Sequence, residues 1–225
     1  MKKITVAIDG VSSSGKSSMA KELAKKVGYK YIDTGAMYRA VTLYAMRKGF
    51  IDDIEKLENE LNSIKINFDV NRITGKTETI INGENVEREI RGMEVSKRVS
   101  KIAANPVVRK YLVDIQHNIG KDKGIVMDGR DIGTVVFPDA ELKIFVTSTA
   151  EIRATRRFKE LKEKGESASY EEILENIKSR DYQDMNREVS PLRKAEDAIE
   201  LDNTDMTIEE QNKWMLELFN KVLND

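Results

Sequence analysis

The chain has 225 residues, with 38 Lys plus Arg against 39 Asp plus Glu, a near balance that excludes a global basic field for nucleic acid or anionic membranes. It contains no cysteine, so disulfide staples, thiol nucleophiles and cysteine metal sites are excluded and the core must hold by packing. The length suits one α/β domain carrying insertions, and no stretch approaches the roughly 20 apolar residues of a membrane span.

Residues up to Ile8 are basic and then apolar, but Asp9 interrupts the run too early for a secretory signal, and a soluble, cytoplasmic protein is expected. Ile4 to Ile8, rich in β-branched residues and followed by Asp9-Gly10, predicts a buried strand ending at a turn. From Lys16 to Val27 the apolar residues Met19, Ala20, Leu23, Ala24 and Val27 recur at helical steps, and Gly28 is placed to end that helix. A strand over Tyr29 to Ile32 follows. Between Ile64 and Glu87 the pattern changes. Ile64, Ile66, Phe68 and Val70 alternate, with turn signals at Gly75 and Asn82-Gly83, which predicts a small antiparallel insert.

Further strands are expected at Gly124 to Met127, Leu142 to Val146 and Ala198 to Leu201, with helices between them, one of them around Ile173 to Arg187. Strands alternating with helices predict an α/β fold with a parallel sheet covered on both faces, its ligands beyond the carboxyl ends of the strands. Near the C-terminus Ile208, Trp214, Met215, Leu218, Phe219 and Val222 form a helical stripe read as core, so Trp214 receives no functional role. His117 has no second histidine to join it and is read as a surface or packing residue.

The loop from Gly10 to Ser17 carries the strongest chemical signal. Gly10-Val11-Ser12-Ser13-Ser14-Gly15-Lys16-Ser17 has the Gly, four residues, Gly-Lys-Ser spacing of a phosphate loop, between a predicted strand and a predicted helix. The glycines let consecutive N–H groups turn inward, and the helix N-terminus adds about half a positive charge. Lys16 is suited to the β and γ phosphates of ATP and the Ser17 hydroxyl to Mg²⁺. A Ser/Gly-rich turn with an exposed lysine is the bland alternative. Asn-Lys-x-Asp and Asp-x-x-Gly elements are both missing, which disfavours a GTPase switch and favours an acceptor kinase.

Arginines recur downstream at Arg39, Arg109 and Arg130, and several arginines converging on a cleft would select a phosphorylated acceptor. Taken singly, Arg109 reads equally well as a surface salt bridge. Arg180, Asp184 and Arg187 share one helical face, as an ordinary ion-pair ladder would. Arg153, Arg156 and Arg157 fit either a mobile basic flap or a solvated helix surface. Rival readings are a kinase for another small molecule on the same fold and a nucleotide-dependent switch or nucleic-acid-binding ATPase.

Over almost its whole length the chain resembles the bacterial cytidylate kinases, within the nucleoside monophosphate kinases. The resemblance rests on Ile8-Asp9-Gly10 with its loop, Asp33-Thr34-Gly35-Ala36-Met37-Tyr38-Arg39, Ser100 with Arg109, Asp128-Gly129-Arg130-Asp131 running on to Ala140, and Arg180 to Arg187. It implies a single P-loop kinase domain over residues 1–225: a parallel β-sheet core flanked by helices, an antiparallel acceptor-binding insert at about 64–90 and a helical lid at about 153–170. It implies ATP-dependent phosphorylation of CMP and dCMP with Mg²⁺, by a monomer that binds neither nucleic acid nor membrane.

The resemblance also distributes roles. Gly10 to Ser18 and Arg157 bind ATP, and Ser17 ligates the metal. Ser100, Arg109 and Asp131 contact cytosine, Arg180 and Asp184 the ribose, and Arg39, Arg130 and Arg187 the acceptor phosphate, with Thr34 in the same pocket. Lys16, Arg130, Arg153, Arg157 and Arg187 are the implied catalytic residues. Asp131 suits cytosine because a carboxylate accepts from the exocyclic amine, where uracil presents a carbonyl. The chain departs from the commonest family pattern at Val11 for Pro, Ser13 for Gly and Thr34 for Ser, and at Gln183 and Met185, where some members carry basic residues. Ser13 replaces a residue with free φ.

Overall fold

The computed structural model describes residues 2–71 and 77–224. Its elements in chain order are β1 (Thr5–Gly10), α1 (Lys16–Val27), β2 (Lys30–Asp33), α2 (Thr34–Lys48), α3 (Ile54–Glu60), β3 (Ile66–Val70), β4 (Thr77–Ile81) and β5 (Glu84–Asn85). They continue as α4 (Met93–Ala104), α5 (Pro106–Gly120), β6 (Ile125–Gly129), β7 (Leu142–Thr147), α6 (Ala150–Glu163), α7 (Tyr170–Asn186), β8 (Ile199–Asp202) and α8 (Ile208–Asn224). The chain divides into two compact units, Met1–Thr34 with Ile115–Asp225, and Gly35–Asp114.

The first unit is built on a parallel sheet of strand order β2-β6-β1-β7-β8. β1 and β6 are buried along their whole length, so their apolar residues form continuous runs, as a sheet covered on both faces requires. β1 is central, and the chain leaves it to one side through α1 and later to the other through β7. The loop after β1 therefore lies at the reversal of strand order, where doubly wound sheets bind ligands. Ile4, Val6, Ile8, Val126, Leu142, Ile144 and Val146 from the sheet region form a core with Met19, Leu23, Met215 and Phe219 of α1 and α8, and Trp214 packs against it.

Local chemistry sets the boundaries. α1 covers the expected residues because Gly28, at φ 70°, takes a left-handed cap and returns its N–H to the Ala24 carbonyl. α7 starts earlier than the apolar pattern indicates, because Ser169 accepts the Glu172 N–H as an N-cap. It also stops one residue short, since Arg187 is extended. Arg187 therefore leaves the ladder expected on one helical face and reaches back from the segment beyond the helix. His117 is an exposed surface residue that also packs: its Nε2 lies 2.8 Å from the Val136 carbonyl, and its ring meets Phe137 edge-on.

The second unit carries a separate antiparallel sheet of order β3-β4-β5 within the expected insert. Asn82 and Gly83, at φ 50° and 88°, make the two-residue turn between β4 and β5. The expected turn at Gly75 lies outside the described residues. Pro106 opens α5, while the Asn105 side chain accepts from the N–H groups of Val107 and Val108. Met37, Leu57, Ile64, Ile90, Ile102 and Leu112 are fully buried in this unit. No helix among the described residues is long and apolar enough to cross a membrane.

Candidate active site

Gly10 is where β1 turns into the loop. At φ 151° it lies so close to β7 that a Cβ there would stand 2.1 Å from the Val146 carbonyl oxygen; the next N–H, of Val11, donates to that same oxygen at 3.3 Å. Ser14 Oγ and Lys16 Nζ both donate to the Val11 carbonyl, at 3.1 and 3.0 Å, so the loop closes on itself. Gly15 caps α1 in a left-handed conformation without a side-chain bond, and the first turn holds no acidic residue. The helix's first N–H groups and its positive end thus remain available to an anion. Ser13 is left-handed too, at φ 55°, although it is not glycine.

Lys16 is buried within this cradle. Burial first, and Arg130 second, push its ammonium down to about 7 against the pull of Asp128. Ser17 Oγ donates to Asp128 Oδ2 at 2.7 Å, and Tyr31 donates to Oδ1 of the same carboxylate at 2.7 Å. Burial, with Asp33 nearby, raises the Asp128 carboxyl above its ordinary value. Ser17 and Asp128 are hard oxygen donors of the kind Mg²⁺ takes, and no trio of His, Cys, Asp or Glu among the described residues forms a dedicated cage. That donor set fits a metal held largely by water and substrate phosphates.

Beyond β6 the chain makes a single π-helical turn over Ile132–Val136. Both oxygens of buried Asp9 accept its first N–H groups, from Ile132 at 2.8 Å and Gly133 at 2.7 Å. Burial nevertheless raises the Asp9 carboxyl to about 7. Thr34 Oγ1 donates to the Asp128 carbonyl at 2.8 Å. Arg130 donates through Nε to Asp184 at 2.8 Å, and Arg187 lies 3.9 Å from Asp184 and 3.8 Å from Asp131. Burial raises Asp184, but Arg130, Arg180 and Arg187 outweigh it and hold the carboxyl below its usual range. Burial, then Arg130, lowers Arg180 to about 10. Three guanidinium groups around one carboxylate leave an excess of positive charge suited to an anion.

Among the lid candidates, Arg153 is buried and donates to the Ser12 carbonyl at 3.0 Å and to Asp181 at 2.6 Å. Arg156 donates to Asn203 and Thr204, and Arg157 pairs with Glu160 at 2.8 Å. In the second unit, Arg39 donates to the Ile90 carbonyl at 3.1 Å. There Ser100 is buried, and so is Arg109, which donates to the Ala103 carbonyl at 3.0 Å and lies over the Tyr38 ring.

The sequence reading gave no individual role to Asp128, Asp9, Asp181 or Asn203. An acidic residue ending an apolar strand beside the loop strand was a usable signal for Asp128. The other three contact loops distant in sequence, which no local pattern encodes.

A phosphate loop with an open helix N-terminus, at the reversal of a parallel sheet, defines a P-loop nucleotide-binding fold. The cytidylate kinase family model matches residues 6–221. The chain is 60% identical over 229 residues, covering 100% of both chains, to a cytidylate kinase of Bacteroides thetaiotaomicron. It is 60% identical over 227 residues, 99% of each chain, to one from Parabacteroides distasonis, and 55% identical over 227 residues, 99% of each, to one from Flavobacterium johnsoniae. The chain belongs to the cytidylate kinase family, and it is a nucleotide-binding phosphotransferase.

Proposed function

We propose that this kinase transfers the γ-phosphoryl group of ATP in line to the phosphate of CMP or dCMP, as a cytoplasmic monomer. The observation that carries the reading is the gathering of Arg130, Arg180 and Arg187 around Asp184, with Asp131 beside Arg187, in the same compact unit as the phosphate loop. Arginine forks match phosphate oxygens, and a carboxylate matches the cytosine amine. By the resemblance described above we further assign Arg39 to the acceptor phosphate, Ser100 and Arg109 to the base, Arg180 and Asp184 to the ribose, and Thr34 to the same acceptor. Residues at about 64–90 then serve as acceptor insert and those at about 153–170 as lid.

The acceptor is already an oxyanion near neutral pH and needs no strong base. Repulsion between two anions is the main barrier, and Lys16, Arg130, Arg157 and Arg187 offset it. The N–H groups from Ser13 to Ser17 cradle the donor phosphates. Ser17 and Asp128 would hold Mg²⁺, which neutralises charge on the phosphates when bound.

A coupled ADP-release assay with MgATP and a panel of nucleoside monophosphates tests this. CMP and dCMP are expected to lead and UMP to follow; a panel led by UMP or a purine nucleotide overturns the acceptor assignment.

A further inference from the structure

Ser13 stands in a left-handed conformation at φ 55°. For an L residue other than glycine that conformation carries a penalty worth roughly five- to thirtyfold in a local equilibrium. Such a geometry persists only where the surroundings over-determine it. Both neighbours of Ser13 are anchored from elsewhere in the fold. On one side, Asp181 of α7 accepts from the Ser12 N–H at 3.2 Å and from Ser12 Oγ at 3.1 Å. Arg153 of α6 braces the same point, donating to Asp181 at 2.6 Å and to the Ser12 carbonyl at 3.0 Å. On the other side, fully buried Asn203 donates through Nδ2 to the Ser14 carbonyl at 2.7 Å, and Arg156 fixes that amide's orientation by donating to its Oδ1 at 3.1 Å.

We propose that Asp181 and Asn203 are positioning residues, a two-point clamp that holds Ser13 left-handed and so presets the loop for the donor phosphates. Arg153 acts through Asp181 as part of this clamp. The inference rests on the reading of the loop as the ATP site. Its physical content is a coupling: glycine has no left-handed penalty, so loosening the clamp costs much more in the wild-type loop than in one carrying Ser13→Gly.

The test is calorimetric titration of MgATP into the full chain as wild type, Asp181→Asn, Ser13→Gly and the double variant, with acceptor KM measured alongside. Asp181→Asn is expected to weaken ATP about tenfold in the wild-type background and about twofold in the Ser13→Gly background, with acceptor KM unchanged within about twofold. Equal losses in both backgrounds, or an equal rise in acceptor KM, overturn the clamp while leaving the donor site standing. A wild-type chain that binds no ATP overturns the donor reading itself. Should Asp181→Asn not fold, Ser12→Ala carries the same comparison, because it removes one contact to Asp181 and leaves the Arg153 pair intact. About threefold loss in the wild-type background with a clearly smaller loss in the Ser13→Gly background supports the clamp; equal losses, or no loss in either background, overturn it.

Discussion

Binding of ATP should be accompanied by proton uptake at Lys16. Burial and Arg130 push its ammonium down to about 7 in the free protein, so at pH 7.5 roughly a quarter of the molecules carry that charge. Donor phosphates reverse the balance by supplying opposite charge next to the amine and raising its pKa. Binding is therefore expected to take up about three-quarters of a proton at pH 7.5, about 0.1 at pH 6, and nearly one above pH 8. Titration calorimetry with MgATP in buffers of different ionisation enthalpy reads this number directly. Lys16→Arg, which stays charged throughout, should abolish the pH-dependent uptake. Uptake that is flat from pH 6 to 8.5, or undiminished in Lys16→Arg, refutes the reasoning. The same shift fixes a stability trend. Below about 7 both folded and unfolded chains hold this proton, whereas between about 7 and 10.5 the unfolded chain holds more, so the Lys16 penalty on the nucleotide-free fold fades as pH rises through that window.

Three further outcomes follow from named contacts. Asp128→Asn removes the charge 2.7 Å from Ser17 Oγ and should raise half-saturating Mg²⁺ about tenfold without lowering the melting temperature, since burial already disfavours that charge; an unchanged Mg²⁺ dependence contradicts the metal assignment. Asp131 should give CMP about five- to 150-fold higher kcat/KM than UMP, the worth of about 1–3 kcal/mol for opposed acceptors, and Asp131→Asn should narrow the ratio. Equal values for CMP and UMP in the wild type would remove the role of Asp131. Gly10→Ala places a methyl 2.1 Å from the Val146 oxygen and should cost more than about 2 kcal/mol in denaturant unfolding, along with ATP affinity.

Much of the core architecture was legible from periodicity. β1, β2, β6, β7 and β8 all lie within two residues of their expected positions, and α1 matches its expected span. The ends that moved were decided by caps: Ser169 drew α7 forward, and the extended backbone of Arg187 closed it. The phosphate loop was legible because its spacing is local. The roles of Asp9 and Asp181 were not, because each acts on a backbone far along the chain, Asp9 on Ile132 and Gly133, Asp181 on Ser12. A solitary carboxylate in sequence carries no mark of which N–H it will meet.

The sequence by itself determined the loop, the strand–helix alternation and the antiparallel insert, because glycine positions and apolar periods act over a few residues. Tertiary structure decided what those pieces meet. It set Asp128 beside Ser17, gathered three arginines around Asp184, and put Ser12 and Ser14 under anchors from α7 and the end of β8. The departure at Ser13 shows the division: glycine's absence was visible in the sequence, but a left-handed serine at φ 55° needs neighbours fixed from other elements, and only the folded chain supplies them.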